Sequence, residues 1–169
     1  MSVWSSYVDM LVKLGVDFEL LSGANFAEIQ ILEALVGFGI PRDLKEIYFV
    51  NNGQKYGFGP IFIDAYNFLS THAICDVWNM WRESLDEHED IGWRKSWLPF
   101  SQNIAGDIYC CVLMDEEVYK AGNILRVGTQ SDQERLLSND INNFLRDTIT
   151  SVKSGKVVYR EDLNAIIGT

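Results

Sequence analysis

His72 and Cys75 stand three residues apart, a spacing that on one helix brings an imidazole and a thiol to neighbouring turns, as a nucleophile and its base require. Nucleophilic chemistry also needs a third group to orient the imidazole and donors to hold an oxyanion, and the sequence around this pair offers neither. His72 and His88 are the only histidines, and Cys75, Cys110 and Cys111 the only cysteines. There is no CxxC pair, no HExxH helix and no calcium-loop pattern, and Gly53 to Gly59 lacks the lysine and spacing of a phosphate loop. No catalytic residue, metal ligand or cofactor is expected. The adjacent Cys110 and Cys111 should point to opposite faces of a strand, so reduced and mostly buried thiols are expected.

Charge offers chemistry of another kind. Glu83, Asp86, Glu87, Glu89 and Asp90 form one acidic cluster, with Arg82 and His88 among them, and Asp115, Glu116 and Glu117 form a second. The net charge is −10. Nucleic acid and anionic membranes bind through clustered Lys and Arg, so neither is expected as a direct partner, whereas a protein with a basic surface is. Such clusters are often no more than solvated faces. The functional alternative is that they steer toward a cationic cleft and fill it in place of phosphate, with Trp93 and Trp97 beside them as aromatic anchors.

The elements that must position these groups follow from periodicity and punctuation. Trp4, Tyr7, Val8, Leu11 and Val12 predict a helix ending at Gly15, and Asn25 with Glu28 predicts a capping box for a second helix burying Ile29, Leu32, Leu35 and Val36. Ile61 to Ile63 and Tyr66 to Leu69 read as short strands, and Ser70 or Thr71 caps a helix with Ile74, Trp78, Trp81 and Leu85 on one face. Trp97 to Phe100, Asp107 to Met114, Asn123 to Val127 and Glu134 to Leu137 predict strands, the second so apolar that it should lie at the sheet's centre. Asn139 is the expected cap of a helix carrying Ile141, Phe144, Leu145, Thr148, Ile149 and Val152; a strand over 156–159 and a short helix over 163–167 close the chain.

One segment, Ile40 to Gly53, reads as a complete unit. Pro41 suits a helix start, Leu44, Ile47 and Tyr48 make its apolar stripe, and Asn51-Asn52-Gly53 can stop it through left-handed residues. This segment, together with Gly23-Ala24, Glu28-Ile29, Leu32-Glu33, Trp78, Trp81 and Trp97-Leu98-Pro99-Phe100 in that order, resembles the SUKH superfamily, which includes fungal cell-wall assembly regulators and bacterial immunity proteins against polymorphic toxins. Ile141, Phe144 and Leu145 are similar to the family's closing helix. Ile40 stands where the family usually has Leu, and the residues from Asp115 to Asn123 are only loosely similar to its Gly-rich turn.

The resemblance implies an α+β fold, with N-terminal helices packed on a mainly antiparallel central sheet and a C-terminal helix, as one domain over residues 1–169. It also implies a non-enzymatic protein that captures and neutralises a cognate toxin, a nuclease among the classes that fit. The alternative is a regulatory scaffold of the cell-wall assembly type. No apolar run nears the roughly 20 residues of a membrane span and no signal-peptide pattern opens the chain, so a cytoplasmic protein is expected. The candidate partner-binding residues are Glu83, Asp86, Glu87, Glu89, Asp90, Trp93, Trp97, Asp115, Glu116 and Glu117.

Overall fold

The computed structural model of the protein describes residues 1–87, 91–129 and 134–169. Ser2 opens helix α1 (Val3–Leu14) by accepting from the Ser5 N–H at 3.1 Å, and Trp4, Tyr7 and Leu11 fill its inner face. Helix α2 (Phe26–Val36) has the expected capping box: Asn25 Oδ1 accepts from Glu28 N at 3.0 Å and Glu28 Oε2 accepts from Asn25 N at 2.7 Å. Two of the first-turn N–H groups that a helix leaves orphaned are thereby paired.

Helix α3 (Arg42–Val50) starts after Pro41 and buries Leu44, Ile47 and Tyr48, as the stripe predicts. Its end differs from expectation. Asn51 is extended at φ −141°, and only Gly53 is left-handed, at φ +81°. The asparagine side chains instead clip neighbouring segments together. Asn51 Oδ1 accepts from the Trp4 indole at 2.9 Å while its Nδ2 donates to Leu21 O at 3.0 Å. Asn52 Oδ1 accepts from Thr71 N at 2.8 Å, tying the end of α3 to the start of the next helix. Gly23 is fixed by close approach, since a Cβ there would fall on the Phe49 carbonyl.

A five-stranded antiparallel sheet follows in the order β1 (Asn67–Phe68), β2 (Trp97–Gln102), β3 (Ile108–Val112), β4 (Ile124–Val127) and β5 (Arg135–Ser138). Strand β3 is central and buried on both faces. Helix α4 (Thr71–Glu87) lies between β1 and β2 in the chain, and Ser70 Oγ accepts from Ala73 N at 3.2 Å to open it. Helix α5 (Ile141–Lys153) is capped by Asp140, not Asn139: Asp140 Oδ1 accepts from Asn143 N at 2.7 Å, and the Asn139 carbonyl is taken by Asn123 Nδ2 at 3.1 Å.

Two further local expectations are overturned. Ile61 to Ile63 is no strand, because Phe62 N donates to Tyr66 O at 3.0 Å across a tight turn with Asp64 and Ala65 at φ +59° and +65°. Residues 163–167 are not helical either. A 3-10 turn over Glu161–Leu163 and Asn164 at φ +44° reverse the chain, so that β6 (Val157–Arg160) pairs antiparallel with β7 (Ala165–Gly168). Such a pairing is made across the turn and leaves no helical or strand period within five residues.

The interior is aromatic. Phe62 meets Tyr7, Phe68, Phe100 and Phe144 with ring centroids 5.8 to 6.1 Å apart. Trp93 sits between Trp78 and Trp81, 6.1 Å from each. Cys110 and Cys111 are both buried; Cys110 lies beside Trp93 and Cys111 toward Tyr48. The alternation of a strand places the two thiols on opposite faces. The architecture is α+β, with N-terminal helices, a central antiparallel sheet and a C-terminal helix.

Candidate protein-binding face

The last turns of α4 carry Glu83, Asp86 and Glu87 on exposed positions. The chain then returns beside that helix, where Trp78 Nε1 donates to Lys95 O at 3.2 Å, and enters β2 next to the loop joining β3 to β4. Arg94 and Lys95 thereby reach opposite ways. Lys95 Nζ contacts Asp86 Oδ1 at 3.0 Å and Arg94 Nη1 contacts Glu116 Oε2 at 3.0 Å. Asp86 of the first cluster and Glu116 of the second are thus each paired to one of two consecutive cations, so these acids do not form one uninterrupted acidic face. Neither Arg94 nor Lys95 stood out in the sequence, although consecutive cations between two tryptophans and two acidic runs are the pattern such pairing leaves.

Glu116 departs from its expected role. Its carboxylate is only 8% exposed, against 55% for Arg94, and it also accepts from Ser96 Oγ and from the Trp97 indole. Three donors converge on it, and a largely buried carboxylate so satisfied is a loop anchor and not a free surface charge. Asp115 is similarly used, its Oδ1 accepting from Ala121 N at 3.0 Å. Glu117, by contrast, faces solvent, and so do Met114 and Val118 on the same loop.

Trp93 and Trp97 are corrected as well. They are 3% and 1% exposed, so neither ring can be offered to a partner. Trp93 is enclosed by Trp78 and Trp81, and Trp97 by Tyr119 at 5.7 Å with the Arg94 guanidinium over its ring at 5.6 Å. Both support the loop from beneath. The exposed apolar side chains of this loop are instead Met114 and Val118, which sequence reasoning passed over because single aliphatic residues in a charged loop carry no periodic signal. Glu89 and Asp90 lie outside the described residues.

The His72 and Cys75 pair shows no activation. The imidazole is exposed and 3.9 Å from Asp76, and burial followed by the Asp76 charge pushes the half-buried Cys75 thiol up, away from the reactive thiolate. Among the described residues, no three His, Cys, Asp or Glu side chains come together as metal ligands. No helix among them is long and apolar enough to cross a membrane.

A family model described as SMI1 / KNR4 family (SUKH-1) matches residues 23–147, from the glycine packed on Phe49 into α5. No curated protein matches the chain. The matched span takes in both the helix Arg42–Val50 and the face just described.

Proposed function

The chain belongs to the SMI1 / KNR4 family (SUKH-1), and from that premise we propose that it is an immunity-type binding protein, one domain over residues 1–169, that captures a cognate toxin by the toxin's own basic surface and blocks it. The observation that supports this most is the β3–β4 loop. Its base is fixed by Glu116 on Arg94, Ser96 and Trp97, while Met114, Glu117 and Val118 stand in solvent. A rigidly based loop carrying apolar contacts beside a charge lowers the ordering cost of association, and loops on fixed scaffolds are where binding residues concentrate.

The exposed carboxylates Glu83 and Glu87 on α4 add the long-range term. A net charge of −10 favours encounter with a cationic surface and raises association rates well above the neutral case of about 10⁵–10⁶ M⁻¹s⁻¹. Nucleases suit this description, because a cleft that binds phosphates is cationic by necessity. The protein does this in the cytoplasm of the producing cell, and its action is occlusion without a chemical step.

Co-expression with candidate toxin domains, sought first in the reading frames that neighbour this gene, tests the proposal. Rescue of growth together with a stoichiometric, catalytically silent complex is expected. A complex that leaves the toxin active would instead favour a regulatory scaffold, and absence of both rescue and complex would reject the immunity role.

A further inference from the structure

A cleft of about 240 Å³ opens beneath the starts of α3 and α5. It is lined by Pro41, Asp43 and Leu44 of the signature segment, Cys111 of β3, Ala121 and Gly122 of the loop, and Asp140 and Ile141. Its volume falls below the roughly 300–1,000 Å³ typical of small-molecule sites and suits a single side chain. Leu44, Cys111 and Ile141 are buried and make an apolar floor. Burial pushes the Cys111 thiol up to about 12, so that floor stays neutral at physiological pH.

The sign of the potential at the mouth decides the occupant. The Asp43 and Asp140 carboxylates accept from neutral amides: Asn142 Nδ2 donates to Asp43 Oδ2 at 2.9 Å, and Asn143 N and Nδ2 each donate to Asp140 at 2.7 Å. The rim cation, Arg42, turns to Glu46 at 2.8 Å along its own helix. The two helix starts contribute at most about half a positive charge each, which does not offset two carboxylates. An anion is therefore disfavoured, and an apolar-stemmed cation is favoured.

We propose that this cleft receives an arginine side chain of the protein partner, its methylenes on Leu44, Cys111 and Ile141 and its guanidinium between Asp43 and Asp140. Arginine fits better than lysine because the planar guanidinium is the more weakly hydrated group and can bond two carboxylates at once. The inference rests on the partner-binding reading and deepens it. It gives the α3 start a recognition role in addition to its structural one.

The test uses the full chain, ¹⁵N-labelled, and a probe that contains no toxin. Acetyl-arginine methylamide is titrated at millimolar concentration against its citrulline counterpart, which keeps the shape and removes the charge. Dose-dependent shifts confined to the amides of Leu44, Ala121, Gly122 and Ile141 are expected, about tenfold weaker or absent with citrulline. D43N and D140N should each reduce them, and asparagine at 140 preserves the helix cap. An equal response to citrulline, unaltered shifts in both variants, no shift at these amides, or shifts on the exposed Phe26 and Ile31 of α2 would overturn the assignment. Failure here alongside toxin capture would leave the immunity reading standing; success here without capture would do the reverse.

Discussion

Glu116 holds Arg94 across the candidate face: Oε2 lies 3.0 Å from Arg94 Nη1, and Oε1 lies 3.0 Å from the Trp97 indole nitrogen. Removing the carboxylate leaves the buried Trp97 N–H and Ser96 hydroxyl without an acceptor. Glu116→Ala should therefore cost about 2–4 kcal/mol, whereas Glu116→Gln, which keeps the acceptor, should cost about 1 because Arg94 is largely exposed. Glu117→Lys should stay within about 0.5 kcal/mol. Urea midpoints decide it: equal losses at positions 116 and 117 would show that the anchoring is illusory.

Gly23 and Gly15 make a matched pair of glycine tests. A Cβ at position 23 meets the Phe49 carbonyl, so Gly23→Ala must push the segment before α2 off the end of α3. Gly15 is left-handed at φ +79° with open space around its Cβ position, so alanine there pays only the backbone cost of about 1–2 kcal/mol. Thermal melts should show a modest drop for Gly15→Ala and a much larger one, or no folded protein, for Gly23→Ala. Similar melting temperatures would contradict the close approach.

Asn52 and Thr71 form the tie between α3 and α4, with bonds of 2.8 and 3.1 Å. Asn52→Ala strands the Thr71 N–H and is expected to lose about 1–3 kcal/mol. Adding Thr71→Val should then cost less than it does in the parent, a coupling that a double-mutant cycle measures. Strict additivity would mean the bond contributes nothing.

Alkaline pH should weaken the fold. Burial raises Cys111 from its ordinary 9.0 to about 12 and also raises Cys110, Tyr7 and Tyr48. The folded chain thus keeps protons that the unfolded chain releases. Stability from these groups is full below about pH 9 and falls as pH rises toward 12, with a loss on the order of 1 kcal/mol by pH 10 from Cys111 alone. Urea unfolding at pH 7 and pH 10 checks the sign, and Cys111→Ala should flatten the dependence.

What was legible in the sequence was what local chemistry decides. Asn25 and Glu28 cap a helix within three residues of each other, and the unbroken apolar run of β3 can only be central. What was not legible depends on distant neighbours. Glu116 and Glu117 are identical in type, and only the positions of Arg94, Ser96 and Trp97, 19 to 22 residues away, make one an anchor and leave the other free. Trp93 and Trp97 next to acidic runs suit an interface or a core equally well until Trp78, Trp81 and Tyr119 are seen to enclose them. The cleft joins residues 41–44, 111, 121–122 and 140–141, which no window along the chain unites.

The central claim is that an acidic, loop-bearing face captures a basic toxin. Stopped-flow association with the toxin domain that co-expression identifies as its partner, measured across ionic strength for the parent chain and for Glu83→Lys, Glu87→Lys and Glu117→Lys combined, tests it most directly. These three residues are exposed, so the fold should survive. The account predicts association slowed at least about tenfold at low salt, with a flatter salt dependence than the parent. An unchanged rate and slope in a folded variant would contradict it.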